Sequence, residues 1–415
     1  MASIQNDNAL TSMKPRNTSS RLNLTQTQFD CKGISGVRPD LIFLASNTIP
    51  AWGSQFNIDI KNYNNLLHNV TLCFNLPAIT GRSGDATSFP NYVPANFFVT
   101  KVEIKQNNQT ADTLLPAVQH IITQTQMDDE DRCLINSLQG AYNSAAQRNT
   151  MSTVAGQNYY IPLRSFFDVV NPPLLSDAHM VTLVVSMANL ADVVCLSGGS
   201  GTAVSVINSC TAILKVSKIE PILGQLRLQG MIKSPEHSFF HTTKTTSMSI
   251  ATGSTTATLT LNTTGKIAHM WFTVRPITGL TQAGLYTYLP ISSMSMTDSS
   301  QFNITSGGTL SSQVLLGLLG SNYNRSSYTS EIAGSANVFG NINNYGSYAY
   351  GYSFSTNISK ALSLGLCLGS KQFTGQETLT VNFPSALTSA SQLDVYFLVE
   401  SCLEQSGGYV KSCAI

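Results

Sequence analysis

An apolar stretch closing on the same turn occurs twice in this chain. Val70-Thr71-Leu72-Cys73-Phe74-Asn75-Leu76-Pro77-Ala78-Ile79-Thr80-Gly81 is echoed by His269-Met270-Trp271-Phe272-Thr273-Val274-Arg275-Pro276-Ile277-Thr278-Gly279. Each copy is followed by an aromatic strand pattern, at 159–167 and 350–354, and then by an alternating one, at 180–187 and 393–399. Matching elements in a fixed order, repeated after about 200 residues, imply a duplicated domain rather than a short-period array. A chain of 415 residues has room for two such domains, each with its own core.

The intervening pattern is that of β structure. Strands are expected at 41–45, 55–60, 69–76 and 97–104, the last alternating Phe98, Thr100, Val102 and Ile104 on one face. A helix is expected over 127–146, where Asp128-Asp129-Glu130-Asp131 precede Leu134, Ile135, Leu138 and Tyr142 at spacings of three and four. Strands resume at 159–167, 180–187 and 212–219. The segment 221–236, with Pro221, Gly224, Gly230 and Pro235, reads as a connection. Beyond it come strands at 239–250, 257–261, 267–274, 289–296, 350–355, 378–383 and 393–400, a helix at 310–319, and a Tyr-, Ser- and Asn-rich surface loop at 321–352. Short strands, long connections and one helix per half do not suit a parallel sheet, which needs a helix between successive strands. The fold expected is all-β: two tandem eight-stranded antiparallel jelly rolls with short helices in their loops. The corresponding division is a polar arm over 1–30, a first jelly roll over 31–220, a linker over 221–236, a second jelly roll over 237–403 and a tail over 404–415.

Charge decides what such a pair is not. Only 11% of residues are charged, against about 25% in ordinary soluble chains, and the net charge is +1. That balance gives no footing for nucleic-acid or membrane binding through bulk electrostatics. In the arm, Lys14, Arg16 and Arg21 are offset by Asp7 and Asp30 and form no basic run. A surface so poor in charge is expected to be glycosylated or covered by partners. The eight Asn-x-Ser/Thr sequons, at Asn17, Asn23, Asn69, Asn108, Asn262, Asn303, Asn324 and Asn357, do not select glycosylation, because this composition gives about seven by chance. The N-terminus has no apolar signal core, and the most hydrophobic stretch, 180–196, is broken by Ser186, Asn189 and Asp192. A soluble intracellular product is expected, its eight scattered cysteines buried as free thiols.

Gly198-Gly199-Ser200-Gly201 resembles a phosphate cradle in composition but lacks the following Lys-Ser/Thr, so it reads as a loop between strands. His237 and His241 have ligand spacing for a helix, yet His237-Ser238-Phe239-Phe240-His241 reads as a strand, which would hold the two rings about 13 Å apart. Four successive acids, Asp128 to Asp131, cannot all face one cation and fit a solvated helix start. No nucleophile elbow, zinc-protease or nucleotide-binding motif is present. No catalytic, cofactor or metal residue is assigned, and no enzyme activity is expected.

One passage is specific enough to carry a resemblance. Tyr160-Ile161-Pro162-Leu163-Arg164-Ser165-Phe166-Phe167, then Pro172-Pro173-Leu174-Leu175 and the strand Met180-Val181-Thr182-Leu183-Val184-Val185, is similar to a late first-domain passage of the double jelly-roll major capsid proteins. Phe98 to Ile104 running into Gln106-Asn107-Asn108-Gln109 is similar to that family's strand and polar turn before a helix. These proteins build icosahedral double-stranded DNA viruses: tailless membrane-containing phages, virophages, polinton-like viruses and large nucleocytoplasmic viruses. The resemblance implies a structural subunit that self-assembles as pseudo-hexagonal homotrimers into a virion shell made inside the host cell and not secreted. It further implies neighbouring capsomers, minor capsid and penton proteins and an inner membrane as partners, with no sequence-specific nucleic-acid binding. A charge-poor chain fits that role, since interface cores are depleted in Lys, Glu and Asp. The rival reading is a carbohydrate-binding tandem β-sandwich, a lectin or spike head, with the 321–352 loop as its binding surface.

Overall fold

The computed structural model describes residues 37–60, 65–83, 91–106, 108–126, 129–140, 151–167, 174–175, 180–195, 200–277, 289–305, 308–312, 314–315, 350–356, 369–406 and 410–413. Eight principal strands wind the first sandwich: β1 (Val37–Ala45), β2 (Gln55–Ile60), β3 (Asn65–Leu76), β4 (Val99–Gln106), β5 (Gln109–Leu114), β6 (Gln157–Leu163), β7 (Val181–Met187) and β8 (Ser209–Ile219), with Leu174–Leu175 added against β3. Eight principal strands wind the second: β9 (Glu236–Ile250), β10 (Thr256–Leu261), β11 (Thr264–Pro276), β12 (Ser293–Thr297), β13 (Leu310–Ser311), β14 (Tyr350–Ser353), β15 (Glu377–Asn382) and β16 (Ser391–Gln405), with Lys371–Thr374 added against β11 and Val410–Cys413 against β16. Hydrogen bonding orders the first set as β1-β8-β3-β6 facing β2-β7-β4-β5. The second repeats the scheme as β9-β16-β11-β14 facing β10-β15-β12-β13. In each half, strands 1, 8, 3 and 6 form one sheet and strands 2, 7, 4 and 5 the other, which is the jelly-roll winding.

Alternation explains why these segments are strands. In β15, Glu377, Leu379 and Val381 point inward while Thr378, Thr380 and Asn382 point outward. Each sandwich closes on its own apolar core. Phe56, Ile58, Leu72, Phe74, Ile104 and Leu183 belong to one, and Leu261, Met270, Phe272, Met296, Leu379 and Phe397 to the other. The repeated segment supplies the third strand of each half. There Phe74 lies opposite Tyr159 and Phe272 opposite Tyr350, an aromatic pair at the same place in both copies.

The structure refines the expected elements in four places. The alternating patterns at 180–187 and 393–399 are not counterparts: the first is β7, a seventh strand, and the second lies in β16, an eighth. Alternation marks any half-buried strand, so it could not distinguish them. The connection after β8 is a helix, α3 (Pro221–Lys233), with Pro at its first turn, where no amide bond is lost. The acid-rich helix is shorter than 127–146 and is joined by an unanticipated one: α1 (Pro116–Gln126) and α2 (Asp129–Leu138) both lie between β5 and β6. The helix expected at 310–319 follows β13: residues 312, 314 and 315 are helical, and 316–319 lie outside the described residues, as do the arm 1–30 and most of the 321–352 loop.

Register fixes the direction of every element. β1 starts opposite the end of β8 (Val37 across from Ile219), and β9 starts opposite the end of β16 (Glu236 across from Gln405). The chain's entry into the first sandwich, α3 and the exit of β16 therefore share one end of the molecule.

Candidate functional site

The two sandwiches meet along β5 and β9, and the seam is built from short polar side chains. Asp112 and Leu114 occupy the inward phase of β5 and are both buried. Thr242 Oγ1 donates to Asp112 Oδ1 at 2.5 Å across the seam, and the Thr113 amide donates to the same oxygen at 2.8 Å. The Ser165 hydroxyl donates to Oδ2. One residue on, Thr243 Oγ1 donates to the Thr113 carbonyl at 3.1 Å. Burial pushes the Asp112 carboxyl up to about 6, and the three donors only moderate that rise.

Apolar contacts run through the same junction. Phe240 of β9 belongs to the core of the first sandwich, edge-on to Phe166 with ring centroids 5.7 Å apart, and Leu403 of β16 joins it there. Part of the seam is therefore a shared piece of core. Helix α3 fixes it from below: Met231 packs with Leu66 and Leu174 of the first sandwich, while Arg227 grips Glu236, the first residue of β9. The Arg227 Nη2 to Glu236 Oε2 distance is 2.8 Å and both side chains are buried.

A cavity of about 50 Å³ lies in the seam between α1, α2 and the outer face of the second sandwich; His241, Thr243 and Leu398 form one wall and Gln119, Ile122 and Gln139 the other. Such a volume holds a water or two rather than a substrate, since small-molecule sites span about 300–1,000 Å³. An open cleft of about 580 Å³ beside it is lined by threonines together with Asp112, Lys244, Lys266 and Glu400. Its lining includes neither histidine nor cysteine.

The sequence candidates scatter over this frame. His237 and His241 are on one face of β9, as strand geometry requires, but their surroundings differ. His237 is exposed and 3.4 Å from Glu404, whereas His241 lies beside the cavity, opposite Glu400, with burial depressing its imidazole to about 4. His120 is likewise pushed to about 4 and His269 to about 3 by burial, against Phe97 and Trp271 respectively. These rings are neutral packing groups at ordinary pH. Among the described residues no three His, Cys, Asp or Glu side chains converge as a metal site. Asp129, Glu130 and Asp131 open α2, while Asp128 and Gly198-Gly199 lie outside the described residues. Cys73 and Cys210 are free thiols, with Cys210 raised by burial. No helix among the described residues is long and apolar enough to cross a membrane.

Sequence reasoning missed the seam itself. Its one legible signal is Asp112, an acid in the inward phase of an otherwise ordinary alternating strand.

A scan against protein-family models finds no match, and neither does a search of curated proteins. Solved structures do match over nearly the whole chain. The VP54 protein of PBCV-1, fitted into a cryo-EM reconstruction of the virophage Sputnik, aligns with a TM-score of 0.67 at 12% identity, covering 91% of this chain and 97% of that one. The Faustovirus major capsid protein aligns with a TM-score of 0.62 at 7% identity, covering 95% and 98%. The Sputnik virophage structure at 3.5 Å aligns with a TM-score of 0.53 at 13% identity, covering 91% and 89%. At these identities the likeness is one of fold, and this chain has the double jelly-roll fold of those capsid proteins.

Proposed function

We propose that this chain, carrying the paired jelly rolls of viral capsid proteins, is itself a major capsid protein, a structural subunit that self-assembles as pseudo-hexagonal homotrimers into the shell of an icosahedral double-stranded DNA virus. The observation that carries the reading is the match in fold over 91–95% of the chain to capsid proteins of similar length. The seam supports it. Two sandwiches sharing core residues and clamped by a buried ion pair make a stiff block, which suits a protein whose product is a wall. Their charge-poor surfaces suit contact on several sides.

The proposal includes the division into arm (1–30), first jelly roll (31–220), linker (221–236), second jelly roll (237–403) and tail (404–415). The partners proposed are further copies of the chain, minor capsid and penton proteins, and a membrane beneath the shell, with assembly inside the host cell. No catalytic, cofactor or metal residue has a part in it. The test is the solution mass of the purified chain by light scattering after size exclusion. A species near three times the 44.6 kDa chain mass, or closed shells, is expected. A monomer at all concentrations would sink the reading.

A further inference from the structure

The strand Val410–Cys413 completes an edge that the rest of the fold leaves open. β9 pairs with β16 along one side from Ser391 to Gln405. On the other side β11 reaches only to Val399, and Cys402 to Gln405 take Val410–Cys413 in its place. The added strand also lies beside β5 of the first sandwich, so it meets both halves of the chain at the seam. Four residues of edge strand, with Gly407 and Gly408 between them and β16, are little pairing to hold a segment in place.

The register sets two cysteines against each other there. Cys413 is directly opposite Cys402, Ser412 opposite Leu403, Lys411 opposite Glu404 and Val410 opposite Gln405. Residues so opposed in an antiparallel ladder have Cα atoms about 4.5 or 5.5 Å apart. Both separations fall within the roughly 4.4–6.8 Å that a disulfide spans. The other cysteines on paired strands among the described residues have no such neighbour: Cys73 is opposite Tyr160 and Thr211, Cys195 opposite Asn91 and Cys210 opposite Phe74. Cys73 and Cys210 are one register step apart on adjacent strands, which turns them to opposite faces of the sheet.

We infer that Cys402 and Cys413 form a disulfide in oxidising surroundings, strapping the 410–413 strand to β16 at the seam. The bond forms by exchange with a small disulfide such as oxidised glutathione. The Cys413 thiolate attacks one glutathione sulfur and expels the other as a thiolate, and the Cys402 thiolate then attacks the Cys413 sulfur and expels the second glutathione. The two cysteine protons pass to the two glutathione thiolates, and the small disulfide takes up the two electrons. Cys402 is only 3% exposed, so the first attack falls to Cys413 while the short strand opens locally, and closing the strand brings the sulfurs together. In a reducing cytosol the pair stays as thiols. Under the capsid reading the strap is open while copies assemble in the host cell and closes after release; the bond itself does not depend on that reading.

The test is peptide mapping of the full chain, purified under reductant, equilibrated with oxidised and reduced glutathione, alkylated, and cut with trypsin without further reduction. Cleavage after Lys371 and Lys411 separates 372–411, which carries Cys402, from 412–415, which carries Cys413, so the bond shows as a joined peptide. The expected result is that joined peptide as the main form of both segments, in a chain whose non-reduced mass stays at 44.6 kDa. The thermal midpoint of the oxidised parent is expected a few degrees above that of the reduced one. Cys413→Ser is expected to fold, to melt like the reduced parent and to ignore reductant. Alkylated thiols at both positions after equilibration overturn the inference, as does a joined peptide found only in covalent dimers. A response to reductant that persists in Cys413→Ser also overturns the strap. A monomeric chain that carries the bond upholds it and removes only the capsid reading.

Discussion

Leu41 and His241 occupy one position of a duplicated sheet, Leu41 opposite Lys215 and His241 opposite Glu400. The first is exposed, while both ring nitrogens of the second are buried with no hydrogen-bond partner among the described residues. A neutral imidazole left unsatisfied is a standing cost, so the residue its counterpart uses should serve the fold better. His241→Leu is expected to leave stability unchanged or raise it by about 1 kcal/mol at pH 7. It should also remove an acid-labile component. A base with its folded pKa at about 4, below the ordinary 6.5, contributes stability above pH 6.5 that is lost as pH falls toward 4. Urea titrations of the two proteins at pH 7 and pH 4.5 check both statements.

Asp112 has the opposite sign. Its carboxyl is raised from 3.8 to about 6, so its contribution is fully present below pH 3.8 and is lost as pH rises through 6. A rise of two units corresponds to about 3 kcal/mol between the ends of that window. Asp112→Asn keeps the shape without the charge. It is expected to flatten the pH dependence of unfolding between pH 4 and 7, with the gain over the parent largest at pH 8. A parallel pH profile for the two proteins would contradict this.

The Arg227–Glu236 pair is buried on both sides, so removing one partner strands the other. Arg227→Met and Glu236→Met should each cost about 3–5 kcal/mol. Arg227→Met combined with Glu236→Met should recover most of that loss, because two apolar side chains leave no orphaned charge. Denaturant melts of the three variants measure the coupling.

Gly140 follows the end of α2 in left-handed geometry, with φ of 73°. A Cβ there would come within 2.6 Å of the Tyr159 ring, and that ring is buried in the first core. Gly140→Ala is expected to cost about 2 kcal/mol or more, from the backbone and the clash together. Tyr159→Leu in the same background should restore part of it, which a double-mutant cycle reads directly.

Legibility in the sequence followed the range of the physics involved. Strand positions and the duplication were readable because they depend on local alternation and on a repeated apolar segment with its turn. Which strand corresponds to which was not, since β7 and β16 carry the same inward-outward pattern and only pairing separates them. Helix α3 was hidden by Gly224 and Gly230, which lower intrinsic helicity. Packing of Met231 and the Arg227 grip outweigh that deficit. The seam was the least visible part. Asp112, Ser165 and Thr242 come from three separate regions of the chain, and nothing local in any of them signals the other two.

The gathering of chain entry, α3 and β16 exit at one end has a consequence for what can be built. Because the connections β1–β2, β3–β4, β5–β6 and β7–β8 all turn at the opposite end of the first sandwich, and those of the second follow the same winding, the molecule has a top and a bottom. A sheet of such units laid side by side inherits that polarity. One of its sides can be decorated freely by lengthening loops, while the other, where the backbone threads from one sandwich to the next, must stay constant for the unit to hold its shape.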